Sequence, residues 1–137
     1  MAGFEFKCPC GACTVSVSGE PTAQLYCHCD DCQASAGAPF VARALYPPGS
    51  VTLQSGEVKG WTYKTQERFV CANCGVMLYS YPGGGKVEAV NASLLPEGVF
   101  QPQMHIQCKE AVMPVKDALP HFAGWGPMAG DSEQVDW

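Results

Sequence analysis

Cys71-Ala72-Asn73-Cys74-Gly75 has the form of a metal-ligand turn. Two thiols separated by two residues reach one ion when the chain bends tightly, and a glycine directly after the bend tolerates the positive φ it needs. Working outward, the N-terminal segment holds a matching piece, Cys8-Pro9-Cys10-Gly11, again two thiols closed by glycine. Zinc favours four ligands in a tetrahedron and binds thiolate sulfur at about 2.3 Å. The two pairs together supply one closed set, Cys8, Cys10, Cys71 and Cys74, and would clamp the N-terminal segment to the middle of the chain. Spacing alone leaves Cys10-Gly11-Ala12-Cys13 open as the N-terminal pair.

A third group, Cys27-His28-Cys29-Asp30-Asp31-Cys32, packs three thiols into one short segment with no closing glycine. Three ligands from one side leave the fourth position of the ion open, which is the arrangement of catalytic zinc. Zn²⁺ with three thiolates carries a formal charge of about -1, so it is a damped Lewis acid and a poor activator of water. Holding a substrate thiol or a carbonyl adduct suits it better. Completion by Cys13, Cys108 or His28 would instead make a second structural site. Cys13 reads as a buried apolar thiol and Cys108 as a core thiol on a late strand. His28 reads as a supporting residue, His105 and His121 as structural histidines, and Asp30 and Asp31 as solvated loop acids.

Composition narrows the classes. The chain has 137 residues, 47% hydrophobic and 15% charged, which suits one core and excludes intrinsic disorder. A net charge of -5, with eight dispersed Lys and Arg, lacks the basic stripe of a nucleic-acid binder and disfavours an anionic membrane. No apolar run is long enough to span a bilayer, and Met1–Lys7 does not read as a signal peptide. A cytoplasmic location follows as an expectation, with thiols kept reduced. Nine cysteines, an odd number, cannot all pair within a monomer.

The 15 Gly and 11 Pro punctuate short strands. Val15 and Val17 alternate with polar residues. Residues 40–46, 51–53, 61–64, 67–70, 76–81, 86–92 and 106–108 read as strands, with a hairpin around Thr65-Gln66. Gln33–Ala36 reads as one helical turn. The expectation is one mainly β domain over 1–123 with one or two short helices. Residues 124–137 read as a C-terminal tail, partly flexible, with Trp125 able to dock.

Cys8-Pro9-Cys10-Gly11-Ala12, Cys27 to Gln33 running on to Gly37-Ala38-Pro39-Phe40, Phe69-x-Cys71-x-x-Cys74-Gly75 and His105-Ile106 together resemble the glutathione-dependent formaldehyde-activating enzyme family, also called the centromere protein V/GFA domain family. The resemblance spans about residues 5–123. It implies an Mss4-like fold of coiled antiparallel β-sheets with zinc-ribbon-like cysteine knuckles. It implies two Zn²⁺ per chain, a structural ion on Cys8, Cys10, Cys71 and Cys74 and a catalytic ion on Cys27, Cys29 and Cys32. It implies carbon-sulfur lyase chemistry on a small-molecule thiol and aldehyde, glutathione and formaldehyde combining to S-(hydroxymethyl)glutathione. Gln33, Ser35, Gly37 and Phe40 follow the third cluster and are the candidate substrate pocket. Leu95 and Met113 depart from the family pattern, where Asp and a nearby Trp are common; both lie outside the cysteine pattern and bear on substrate choice. The rival class is a noncatalytic zinc-binding module for protein partners. A methionine sulfoxide reductase would need Cys108 as a redox thiol.

Overall fold

The segment Thr14–Val17 buries Val15 and Val17 and leaves Thr14 and Ser16 half-buried, the period-two pattern of a strand with one face on a core. A computed structural model describes residues 3–64 and 66–137. Among them the chain is mainly β, with ten strands in two sheets and one α-helix, as the sequence predicts. In chain order these are β1 (Phe4–Lys7), β2 (Thr14–Val17), β3 (Ala23–Cys27), α1 (Asp30–Ala36), β4 (Val41–Tyr46) and β5 (Val51–Ser55). Then follow β6 (Val58–Tyr63), β7 (Gln66–Cys71), β8 (Met77–Tyr81), β9 (Glu88–Asn91) and β10 (Met104–Ile106). Thr65, in the predicted hairpin turn, lies outside the described residues.

The chain divides into two compact units. The first comprises Ala44–Phe100 with the residues up to Ala23. In it β2 pairs antiparallel with both β1 and β5, and β6 to β9 form an antiparallel meander. Phe6, Val15, Val17, Tyr46, Val51, Leu78 and Val90 make its core, and Cys8, Cys13 and Cys71 are buried in the same cluster. Two ligand candidates are therefore packed into the apolar centre rather than hung from a loop.

Gly56 shows how tightly the N-terminal cysteine loop is seated. Its φ is +92°, and a methyl group there would meet the Ala12 carbonyl oxygen and stand 2.7 Å from Cys13 Sγ. Gly56→Ala therefore meets both a backbone penalty and a steric one. The expected cost is about 2–4 kcal/mol, read as a lowered urea midpoint. An unchanged midpoint would show that the loop yields freely.

The second unit comprises Gln24–Arg43 and Gln101–Trp137. Here β3 pairs in parallel with β10, Cys27 opposite Ile106. A left-handed Gln107 (φ 54°) ends β10, so Cys108 opens a 3₁₀ turn instead of continuing the predicted strand, and stays buried. His121 bridges His105, and Val135 N–H donates to the His121 carbonyl at 2.9 Å. Trp125 is largely exposed; the residue that packs inward is Trp137, its ring centroid 4.9 Å from that of His121. No helix among the described residues is long and apolar enough to cross a membrane.

Candidate functional site

Cys8 and Cys10 follow β1, and Cys71 ends β7 with Cys74 just beyond. Their four sulfurs all lie within 4.8 Å of one another. Cys8 Sγ is 3.4 Å from Cys10 Sγ and 3.7 Å from Cys71 Sγ, and Cys10 Sγ is 3.8 Å from Cys71 Sγ. A disulfide would need about 2.05 Å. A zinc tetrahedron with bonds of about 2.3 Å has edges of about 3.8 Å, so the sulfurs already sit near the corners of a zinc shell. Gly11 (φ 79°) and Gly75 (φ 78°) close the two turns, each donating its N–H to the carbonyl of the first cysteine of its pair. Cys13 N–H donates to Cys8 Sγ at 3.3 Å and Cys74 N–H to Cys71 Sγ at 3.4 Å. Burial works to raise the Cys8 thiol, but the Cys13 N–H and the Cys10 thiol outweigh it and hold it below its ordinary value. The Cys74 N–H lowers Cys71, and the Asn73 side chain lowers Cys10. Donors that favour thiolate are the surroundings a metal ligand needs. Cys13, the alternative left open by spacing, is not among the four whose sulfurs converge: its thiol donates to the Glu57 carbonyl at 3.3 Å, and burial pushes it up to about 11.

In the second unit Cys27 ends β3, Cys29 caps α1 and Cys32 lies in its first turn. All three are buried, and their sulfurs lie within 4.8 Å of one another. Cys29 Sγ accepts from Cys32 N–H at 3.2 Å. The helix begins at Asp30, three residues earlier than predicted, because the Cys29 sulfur takes the cap position that an oxygen usually fills. Asp30 is exposed, but Asp31 is buried in the first turn and is not the solvated loop acid that the sequence suggests. Among the described residues no fourth Cys, His, Asp or Glu joins this trio. Neighbouring thiols and burial raise Cys27 well above its usual range.

The loop carrying the trio is braced from the 3₁₀ turn Cys108–Glu110. Gln33 Nε2 donates to the His28 carbonyl at 2.7 Å and to the Glu110 carbonyl at 2.9 Å, and Asp30 N–H donates to Glu110 Oε1 at 2.8 Å. Of the other pocket candidates, Ser35 Oγ donates to the Cys32 carbonyl at 3.3 Å, Gly37 (φ 63°) caps α1, and Phe40 stacks on His28 at 4.8 Å between ring centroids. Burial, aided by Asp117, pushes Cys108 up to about 11, a poor setting for a redox thiol.

His28 turns away from the sulfurs. Its Nε2 lies 2.9 Å from His105 Nδ1, His105 Nε2 lies 2.8 Å from Asp117 Oδ2, and Asp117 Oδ1 lies 3.1 Å from His121 Nε2. Sequence reasoning had His105 and His121 as separate structural histidines and missed Asp117; the only hint is the four-residue spacing of Asp117 and His121.

Burial, helped by the charge of His105, pushes His28 down to about 4. An unfolded histidine takes its proton near pH 6.5. Between those values the unfolded chain holds more protons, so this contribution to stability is full above about pH 6.5 and lost as pH falls towards 4. The slope is at most about 1.4 kcal/mol per pH unit. Urea midpoints measured across that window are expected to fall, and His28→Phe is expected to flatten the fall. An unaltered slope in the variant would assign the acid sensitivity elsewhere.

A β-rich protein with one four-sulfur cluster in a core and one three-sulfur cluster at a strand-to-helix corner is, by its chemistry, a candidate zinc protein. The chain belongs to the glutathione-dependent formaldehyde-activating enzyme family, whose model matches residues 4–110. It is 30% identical over 95 residues to an uncharacterized lyase of Schizosaccharomyces pombe, covering 69% of each chain. A solved Rhodobacter sphaeroides protein shares the fold, with a TM-score of 0.54 and 23% identity over 70% of this chain and 90% of that one. Family membership and the lyase relative support a glutathione-dependent formaldehyde-activating or lyase-type function.

Proposed function

We propose that this chain is a zinc-dependent enzyme of carbon-sulfur lyase type acting on thiol-aldehyde adducts, with glutathione and formaldehyde as the reacting pair. The observation that supports it is the trio Cys27, Cys29 and Cys32, which commits three sulfurs to one point and no fourth side chain among the described residues. In the addition, the thiol S–H bond breaks, a carbon-sulfur bond forms, and the carbonyl oxygen takes up the proton as a hydroxyl. Zinc held by the trio would supply Lewis acidity that favours the thiolate form of the substrate. Cys8, Cys10, Cys71 and Cys74 would hold a second, structural zinc.

The protein's own residues provide position. Gln33 and Glu110 fix the loop that aims the trio, and Phe40 stacks on His28, which that loop carries. Ser35 and Gly37, on and just after α1, complete the proposed substrate surroundings. Holding two small reactants at contact supplies the main rate gain in such an addition. No disulfide joins any of the nine cysteines among the described residues, which suits a reducing, cytoplasmic setting.

The test is NMR exchange between glutathione and its formaldehyde adduct, with and without zinc-loaded protein. Faster exchange is expected; none would sink the reading. The burial of all three sulfurs favours a second reading, a noncatalytic zinc module for a protein partner. Cobalt placed in the trio decides between them. A visible spectrum that changes on adding glutathione supports the enzyme, and an unmoved spectrum supports the module.

A further inference from the structure

We propose that His105, Asp117 and His121 form an additional metal site, for a divalent first-row transition ion held by two imidazoles and one carboxylate. It uses none of the cysteines. Asp117 and His121 also lie beyond the span that the family model matches.

The three ligand atoms lie within 4.8 Å of one another. Each carboxylate oxygen of Asp117 faces a different Nε2, at 2.8 Å for His105 and 3.1 Å for His121. The two imidazoles stack, their centroids 4.7 Å apart and planes 28° off parallel, so both nitrogens are presented side by side to one carboxylate.

His121 carries the argument beyond a hydrogen-bonded cluster. Its side chain is 9% exposed, and Nε2 is buried without a hydrogen-bond partner. It is near Asp117 Oδ1, but its angle is not that of a hydrogen bond. A buried polar nitrogen left unmatched is uncommon in a native structure and needs a reason. A cation placed between Nε2 and the carboxylate would satisfy it.

The surroundings are those of a supported metal ligand set. His105 Nδ1 is held by His28 Nε2 at 2.9 Å. As the structure stands, His105 Nε2–H donates to Asp117 Oδ2 and Nδ1 accepts from His28; with an ion bound the proton would move to Nδ1, donated to His28 Nε2, and Nε2 would offer its lone pair, the usual way a neighbour fixes the ligating tautomer. Asp117 Oδ1 accepts from Leu119 N–H at 3.1 Å, which orients the carboxylate. His105 N–H donates to the Pro120 carbonyl and Phe122 N–H to the His105 carbonyl, each at 2.9 Å, so both histidines sit on paired backbone. Trp137 packs on His121, while Asp117, at 34% side-chain exposure, gives an ion a way in. Two imidazoles and a carboxylate suit zinc, iron(II) or cobalt(II) and leave positions for water.

The experiment is cobalt(II) titration of the 137-residue chain with its cysteine sites already zinc-loaded. One further equivalent is expected to bind, with visible d–d absorption and no sulfur-to-cobalt charge-transfer band. Asp117→Asn, near-isosteric and at the surface, should lose that equivalent and keep the metal already bound. His121→Gln should do the same, and His28→Phe should weaken the cobalt by about 10–100-fold. Should either ligand variant fold poorly, the wild type alone still decides: added zinc or cobalt must raise its melting temperature. Equal uptake by wild type and Asp117→Asn, a thiolate charge-transfer band on the added cobalt, or an unmoved melting temperature would each overturn the site. None of these outcomes depends on the formaldehyde chemistry.

Discussion

Cys71→Ser is expected to abolish cooperative folding. Cys71 is 1% exposed, packs with Phe6, Val15 and Leu78 in one core, and stands 3.7 and 3.8 Å from the Cys8 and Cys10 sulfurs. If these four hold zinc as proposed, the variant loses a ligand whose ion joins segments far apart in sequence. Structural zinc in small domains has an apparent binding free energy of about 10–16 kcal/mol at neutral pH. Net domain stability is only about 5–15 kcal/mol, so loss of the ion outweighs what remains. Elemental analysis should show one ion fewer, and circular dichroism should show no sharp melt. Cys13→Ala is the control. It removes an equally buried thiol outside the four, and should cost about 1–2 kcal/mol while leaving the metal count unchanged. A cooperative Cys71→Ser protein with full metal would refute the structural role.

The second large effect is expected at Cys29. Serine there is a better helix cap than cysteine, so the N–H of Cys32 keeps an acceptor and α1 is preserved. What disappears is the soft thiolate. Metal at the trio should be lost, and acceleration of glutathione-formaldehyde exchange should fall by at least about 10²-fold, the scale of a lost electrostatic stabiliser. Melting should stay cooperative, since the four-sulfur cluster belongs to the other unit. Catalysis that survives in Cys29→Ser would place the chemistry outside the trio.

How much of this was legible depends on sequence distance. The four-sulfur cluster could be read because each pair announces itself locally, two thiols and a closing glycine. On what spacing could not decide, Cys10 with Cys8 or with Cys13, packing favours Cys8: Cys13 is drawn against the Glu57 carbonyl beneath Gly56. The meander β6 to β9 was visible in short alternating runs between turns. The helix start was not, because a cysteine sulfur serves as its cap. β1 was not assigned either. The His28–His105–Asp117–His121 chain was hidden because it arises from the parallel pairing of β3 with β10 and the bridge from His105 to His121. No local pattern encodes such long-range neighbours.

The four-sulfur cluster is also asymmetric. In each pair the first cysteine, Cys8 or Cys71, is buried and the second, Cys10 or Cys74, is exposed. Alkylating reagents and peroxide therefore meet an outer rank of sulfurs before an inner one. Damage to the grip should accumulate stepwise, with adducts on Cys10 and Cys74 detectable by mass spectrometry while the inner pair is still intact. For a protein proposed to work beside a reactive electrophile, wear at that outer rank would set its working lifetime.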